Sequence, residues 1–475
     1  MWERFSFYGT RALLILFLTA SVAQGGLALS APQAGAIYGL STAGAYLCSL
    51  PGGWIADRLL GARSAVFWGG VLIAAGNLLL ALPGGLALSG TGLAVTAFGT
   101  GLLKPNVSVL VGALYQGDSA SRRDAGFSIF YLGINLGAFI APLLAGTIGE
   151  AIGYRWGFLT ASIAMVVGLV QYRLTGRWLG AAGAPPASAP ERRRAARQLL
   201  AAIVLAGLAL IALHWAVRVW HLSLTALASG AGIAMLALAA GYLGWLLSSH
   251  GLTAGERRRV LVIALFFVCA ALFWAGYEQA GSTLNLFARD YTDRRLLGSW
   301  FAAGEHPVSW YQSVPSLFVL LLAPAFAGLW VWLGARRRDP STPAKMGLGL
   351  LQLAAGFVVM MLAARIVAAT GSRVLPGWLI LTYLLHTTGE LCLSPIGLSS
   401  VTQLSPARYV GQLMGLWFLG TAIGDLAAGL IGGEVGGANL AQMPREFLWM
   451  AVIPAAAGLG MLLFARRAHA WMRDG

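Results

Sequence analysis

An all-α polytopic membrane protein is the fold class this sequence predicts, and three observations predict it. Hydrophobic residues make up 58% of the 475-residue chain and charged residues only 10%, at a mean hydropathy of +0.74, whereas soluble domains carry about a quarter charged residues. Apolar runs of about 20 residues, enough for a helix to cross the hydrocarbon core, recur along the whole chain. Lys and Arg outnumber Asp and Glu by 32 to 17, yet they gather in short segments between the apolar runs. That distribution orients membrane proteins and is not the basic face of a nucleic-acid binder.

The first six runs lie at about 5–24, 33–56, 64–83, 90–114, 125–147 and 154–176. A small, Pro-rich and then strongly basic stretch at 177–197 leads into two further runs, 198–217 and 224–247, which end at the basic patch Arg257, Arg258 and Arg259. Six more follow at 260–281, 308–334, 344–369, 376–402, 411–432 and 446–466. The expected organisation is fourteen transmembrane helices: a six-helix bundle over 1–176, a linker with an inserted helix pair over 177–259, and a second six-helix bundle with a short tail over 260–475. Counted in alternate loops, 21 Lys and Arg fall on the side of the termini and 8 on the other. Positive residues stay inside, so both termini are expected in the cytoplasm. No cleavable leader is expected, because the first run lacks a short basic leader and a clear small-residue cleavage site.

Charged residues within these runs are costly in lipid and therefore mark function. In the first run Arg4, Tyr8 and Arg11 share one helical face, with Glu3 beside them. Lys104 lies about fifteen residues into the fourth run, too deep to reach either interface, followed by Pro105 and Asn106. Asn135 follows Tyr131 by one turn in the fifth. The seventh run of the two bundles places Trp274 and Glu278 one turn apart, and aligned depth predicts an Arg11–Glu278 pair whose acid can carry a proton. Glu390 sits near the middle of an apolar stretch with Gly389, Ser394, Pro395 and Gly397, which predicts a bent, cavity-lining helix. Asp425, two turns past Trp417, reads as a packing residue. His386 reads as a packed or hydrogen-bonded helix residue. Cys48, Cys269 and Cys392 lack metal-ligand spacing and read as small core residues.

The loop GGWIADRLLGAR at 52–63, with Asp57 and Arg58, looks like the cytoplasmic gating signature of the major facilitator superfamily. The whole chain resembles one branch of it, the proton-dependent oligopeptide transporters, in WERFSFYGTR, GLLKPNVS, FYLGINLGAF, FWAGYEQAGSTLNLF, WYQSVPSLF, RRRDPSTPAK and GELCLSPIGLS. The inserted helix pair matches bacterial members. This resemblance implies that Arg11 and Lys104 meet the peptide carboxylate and Glu390 the peptide amino group. It further implies that Tyr8, Tyr46, Asn135, Trp274, Ser394 and Trp417 line the pocket; Glu278 is expected among the substrate-binding residues too, and Glu3, Arg4, Arg11, Lys104 and Glu278 are expected to take part in proton coupling. Pro315 stands where many members have asparagine, and Phe7 where a second tyrosine is common. The family opens Glu-x-x-Glu-Arg, and here the first glutamate would fall one position before Met1, so an in-frame glutamate upstream is expected if the start is misplaced.

A zwitterionic ligand needs an anion for its ammonium and cations for its carboxylate at a fixed span, and Glu390 opposite Arg11 and Lys104 provides that. Aromatic residues would cover variable side chains without demanding one. The expected function is a proton-coupled symporter importing di- and tripeptides by alternating access, without a cofactor, as a monomer in the bacterial inner membrane. Two alternatives are a carrier of another small anionic or modified-peptide substrate and a membrane-embedded receptor that binds without transporting. An enzyme is not expected, since metalloprotease, nucleophile-elbow and phosphate-loop motifs are missing.

Overall fold

The computed structural model describes residues 1–115, 120–180, 182–183, 189–249, 251–437 and 440–473. Among these, helices overlie every expected run. Helix α1 is Trp2–Thr19; α2 is Ala31–Leu47, continuing through Ser49–Ile55 into a π-helical turn at Ala56–Leu60. Helices α3, Gly61–Ala81, and α4, Leu86–Leu114, follow. Helix α5, Ala120–Ala141, extends through Pro142–Gly146 into Thr147–Ala151, and α6 is Tyr154–Leu174. The inserted pair is α7, Ala189–Trp220, and α8, Leu224–Ser248. Then come α9 (Ala254–Tyr277), α10 (Val314–Ala335), α11 (Thr342–Thr370), α12 (Gly377–Leu404), α13 (Val410–Gly437) and α14 (Met443–Arg473).

Eleven stretches of the described residues are long and apolar enough to cross a membrane. One, Ala31–Ala81, has 51 residues, more than twice what a ~30 Å core needs at ~1.5 Å per residue, and it holds both α2 and α3. Gly61 makes the reversal between them at φ +74°, a left-handed value that a side chain would disfavour. Local chemistry sets other ends: before α9, Thr253 Oγ1 accepts from Glu256 N at 3.2 Å and Glu256 Oε2 accepts from Thr253 N at 2.8 Å, a reciprocal cap.

Helix α1 packs on α5 and α6, and α3 on α4 and α6; in the second group α11 packs on α12 and α14, and α9 on α13. The two groups meet where α2 touches α13 and α5 touches α10. Glycines permit the first of these contacts. A Cβ on Gly35 would overlap the Gly429 carbonyl and one on Gly39 would lie 2.8 Å from Leu426 O, so the backbones touch directly, as small residues allow in lipid. Helix α8 lies against α13 and α2, while α7 touches the π turn of α2.

At the second contact Glu150 receives the backbone N–H groups of Val308 and Ser309, both at 2.8 Å, and Trp310 Nε1 donates to Thr147 Oγ1 at 2.8 Å. A single carboxylate thus ties the end of α5 to the turn that starts α10. Glu150→Ala strands both donors, and we expect it to lower stability by about 1–3 kcal/mol, read as an earlier thermal unfolding midpoint in detergent. An unchanged midpoint would show that this tie is not holding the two groups together.

One expectation is corrected here. Helix α12 runs as a continuous helix from Gly377 to Leu404 and carries no break. Its glycines serve close packing instead: a Cβ on Gly389 would lie 2.8 Å from Gly349 O, and one on Gly397 would overlap the Trp417 ring. The broken helix is α9, which gives way after Tyr277 to a 3-10 turn, Glu278–Gly281, before resuming as Thr283–Tyr291.

Candidate functional site: a charged chamber between the helix groups

One polar residue in α3 sets the rotation of α1. Asn77, fully buried, accepts from Thr10 Oγ1 at 2.5 Å and donates through Nδ2 to Ser6 Oγ at 3.0 Å. With Ser6 and Thr10 committed to α3, the other face of α1 presents Arg4, Phe7, Tyr8 and Arg11 to a chamber also lined by Tyr46, Asn135, Trp274, Tyr277, Glu278, Gln312, Pro315, Glu390 and Asp425. These residues come from α1, α2, α5, α9, α10, α12 and α13, so both helix groups contribute to one enclosure.

At its centre the Arg11 guanidinium meets Glu278, Nη2 to Oε2 at 3.0 Å, and donates through Nε to the Tyr38 hydroxyl at 3.0 Å. Arg11 is 6% exposed, deep enough that the ion pair is shielded from solvent. The break in α9 makes the pair possible, because Glu278 leads the 3-10 turn and Gly281 ends it. A Cβ on Gly281 would overlap the Tyr38 hydroxyl and lie 2.9 Å from Arg11 Nε. Below the break, Asn285 Nδ2 donates to Ala12 O at 2.9 Å, tying the resumed helix to α1.

Glu390 lies on the chamber wall beside the Tyr277 hydroxyl, with Oε2 buried and without a hydrogen-bond partner among the described residues. An acid with no cationic partner in such a site is held for something other than protein packing. Glu3 bonds its neighbour Arg4 at 3.1 Å, and its Oε1 is buried and unbonded. Tyr8 stands under Arg11, whose guanidinium is 5.5 Å from the ring centre. Asn135 Nδ2 donates to Tyr131 O at 3.0 Å, and the Trp274 Nε1 donor is buried with no partner among the described residues.

Lys104, at a depth that requires either an acid partner or a cavity, lies against an aromatic ring. Its ammonium lies 3.5 Å from the centre of the Tyr46 ring, a cation–π contact, and it makes no ion pair among the described residues. Tyr46 therefore separates Lys104 from the chamber lining. Around it, Pro105 removes one helical N–H, and Asn106 Nδ2 donates to Leu102 O at 2.7 Å and to Gly52 O at 3.4 Å, tying α4 to the continuation of α2.

Other expected residues are distributed as follows. Trp417 is buried in the core against Gly397 and is not part of the chamber lining, because that glycine opens a slot in α12 that the ring fills. Pro315 is on the lining, one turn after Gln312, whose Nε2 is occupied by the Ala280 carbonyl. Asp57 and Arg58 are exposed in the π turn of α2, away from the chamber. The side chains of Ser394 and Pro395 lie outside the described residues. His386 is buried against the Phe357 ring, with 4.8 Å between centres.

Sequence reasoning passed over Tyr38, Asn77, Tyr277, Gln312 and Gly281. Only Tyr277 carried a usable signal, its place next to Glu278; the others act across helices far apart in sequence. Asp425, read as packing, lines the chamber. No group of three or more His, Cys, Asp or Glu that could hold a metal occurs among the described residues.

Two groups of membrane-length helices closed around an oppositely charged chamber, with a broken helix at the charged centre, define a secondary transporter of the major facilitator type. Comparison with known proteins agrees. The POT family model matches residues 63–435. The peptide transporter YePEPT of Yersinia enterocolitica is 42% identical, covering 98% of this chain and 92% of its own. A di-/tripeptide transporter of Lactococcus lactis is 37% identical over 88% and 84%. The crystal structure of the peptide transporter POT in complex with sulfate superposes at a TM-score of 0.89 with 39% identity, covering 100% of this chain and 94% of that one. The chain belongs to the POT family, whose members are transporters rather than enzymes.

Proposed function

We propose that this protein imports di- and tripeptides together with protons by alternating access. The observation that carries the proposal is the buried Arg11–Glu278 pair in the same chamber as the unpaired Glu390. Glu390 receives the peptide ammonium, and Arg11 and Lys104 receive its carboxylate. Lys104 gains access when the Tyr46 ring moves aside. Tyr8, Asn135 and Trp274 flank the peptide, with Ser394 completing the pocket on the family's pattern, while Trp417, packed in the slot at Gly397, supports that wall from behind.

Protonation of Glu278 neutralises the acid and frees Arg11 for the substrate, so proton and peptide load together. Glu3 and Arg4 adjust the charge near Lys104 during the cycle. The halves that rock are residues 1–176 and 260–475, linked by 177–259, with Asp57 and Arg58 gating the inner face. By the loop-charge count the termini face the cytoplasm of a bacterial inner membrane, and the Glu150 tie lies on the outer side. The protein works as a monomer.

Purified protein in liposomes is expected to take up labelled dialanine faster under an inward proton gradient. Equal uptake with and without the gradient would count against coupled import.

A further inference from the structure

The mechanism above uses Glu278 and Glu390 and leaves one buried acid idle. Asp425 is 2% exposed, lines the chamber, and has its Oδ1 buried with no hydrogen-bond partner among the described residues. It forms no ion pair among the described residues; of the two cations around it, Arg11 is already engaged by Glu278 and Tyr38 and Lys104 lies against the Tyr46 ring. The backbone around it is clamped on two sides. A Cβ on Gly424 would lie 2.8 Å from Ala271 O of α9, and Leu426 O would be 2.8 Å from a Cβ on Gly39 of α2. Asp425 therefore cannot turn toward lipid. An ionised carboxylate held there without a counter-charge is heavily penalised, so this conformation favours the neutral carboxyl.

The groups facing it decide whether that proton is permanent. Arg11 from α1, Tyr38 and Tyr46 from α2, Lys104 from α4 and Glu278 from α9 all lie within electrostatic reach of Asp425. Two cations, Arg11 and Lys104, are thus within reach of its anion. Arg11, once Glu278 is neutralised, is taken by the peptide carboxylate, and Lys104 moves when Tyr46 gives way.

We propose that Asp425 is a second protonation site of the transport cycle, so that this chain moves one more proton per peptide than Glu278 alone would carry. The neutral carboxyl forms while the chamber is loaded. Once the peptide has left on the inner side, Lys104 approaches, the O–H bond breaks, the proton passes to cytoplasmic water, and the carboxylate stays paired with the ammonium until the empty chamber turns outward and the carboxyl takes up a new proton. This proposal rests on the coupled-import reading of the same chamber.

The test compares unmodified protein with Asp425→Asn, a near-isosteric change, in liposomes. Proton-to-peptide stoichiometry is read from the membrane potential at which dialanine flux reverses. We expect the ratio to fall by one in the variant, with counterflow exchange retained. An unchanged ratio would overturn the proposal, as would loss of counterflow, which would assign Asp425 to structure. Reduced uptake of lysine-containing peptides at an unchanged ratio would instead make it a specificity residue and equally overturn the proposal.

Failure of the unmodified protein to respond to a proton gradient would be a failure of the import reading. A second measurement then still decides the matter: the infrared carbonyl stretch of protonated carboxyls in detergent-solubilised protein at neutral pH. The band is expected to weaken in Asp425→Asn, and an identical band in both proteins would sink the idea.

Discussion

Glu278→Gln is expected to abolish proton-driven accumulation while leaving counterflow exchange of peptide intact. Glutamine keeps the shape and a hydrogen-bonding oxygen for Arg11 but cannot release a proton, so it mimics the loaded acid permanently. The guanidinium loses its anion and keeps a neutral amide oxygen and the Tyr38 hydroxyl at 3.0 Å. Breaking a buried pair by removing one partner costs about 3–5 kcal/mol, so an earlier unfolding midpoint should accompany the transport defect. Exchange needs no net proton movement and should survive. If exchange disappears together with accumulation, Glu278 holds the fold of the α9 break and is not the coupling group.

Glu390→Gln is expected to weaken dialanine binding by at least about thirtyfold. Truncating one side of a buried charge contact costs roughly 2–5 kcal/mol, and the lower figure corresponds to about that factor. The control is N-acetyl-dialanine, which has no ammonium to meet the acid. Its binding should be weak to unmodified protein and should not fall further in the variant. Competition against labelled peptide in counterflow measures both ligands. Equal losses for the two would show that Glu390 shapes the chamber and does not select the amino group.

Much of this site was legible before any fold was known, for an energetic reason. Lipid penalises charge so heavily that Arg11, Lys104, Glu278 and Glu390 stand out from an apolar background without further information. The Arg11–Glu278 pairing was also readable, because both sit at matching depth on helices that must face inward. Lys104 shows where such reading stops. Depth requires a stabilising partner but cannot distinguish a carboxylate from the face of an aromatic ring, and the ring of Tyr46 took that place. The helix break was misplaced for a similar reason. Gly389, Pro395 and Gly397 weaken a helix locally, yet α12 stays continuous, with neighbours filling the space at the two glycines, Gly349 and Trp417 among them.

The sequence by itself determined that this chain is a bundle of membrane helices with a charged interior, which pattern set its termini apart from its other loops, and which side chains were too expensive to bury without purpose. Those properties follow from hydropathy and charge counted along the chain, and need no knowledge of who touches whom. Only the tertiary structure decided that α9 and not α12 breaks, that Asn77 sets the rotation of α1, that Trp417 packs away from the chamber and that Asp425 joins it. Each of these depends on helices distant in sequence approaching within a side chain's reach, and that is fixed by packing of glycine-lined backbones which no local pattern encodes.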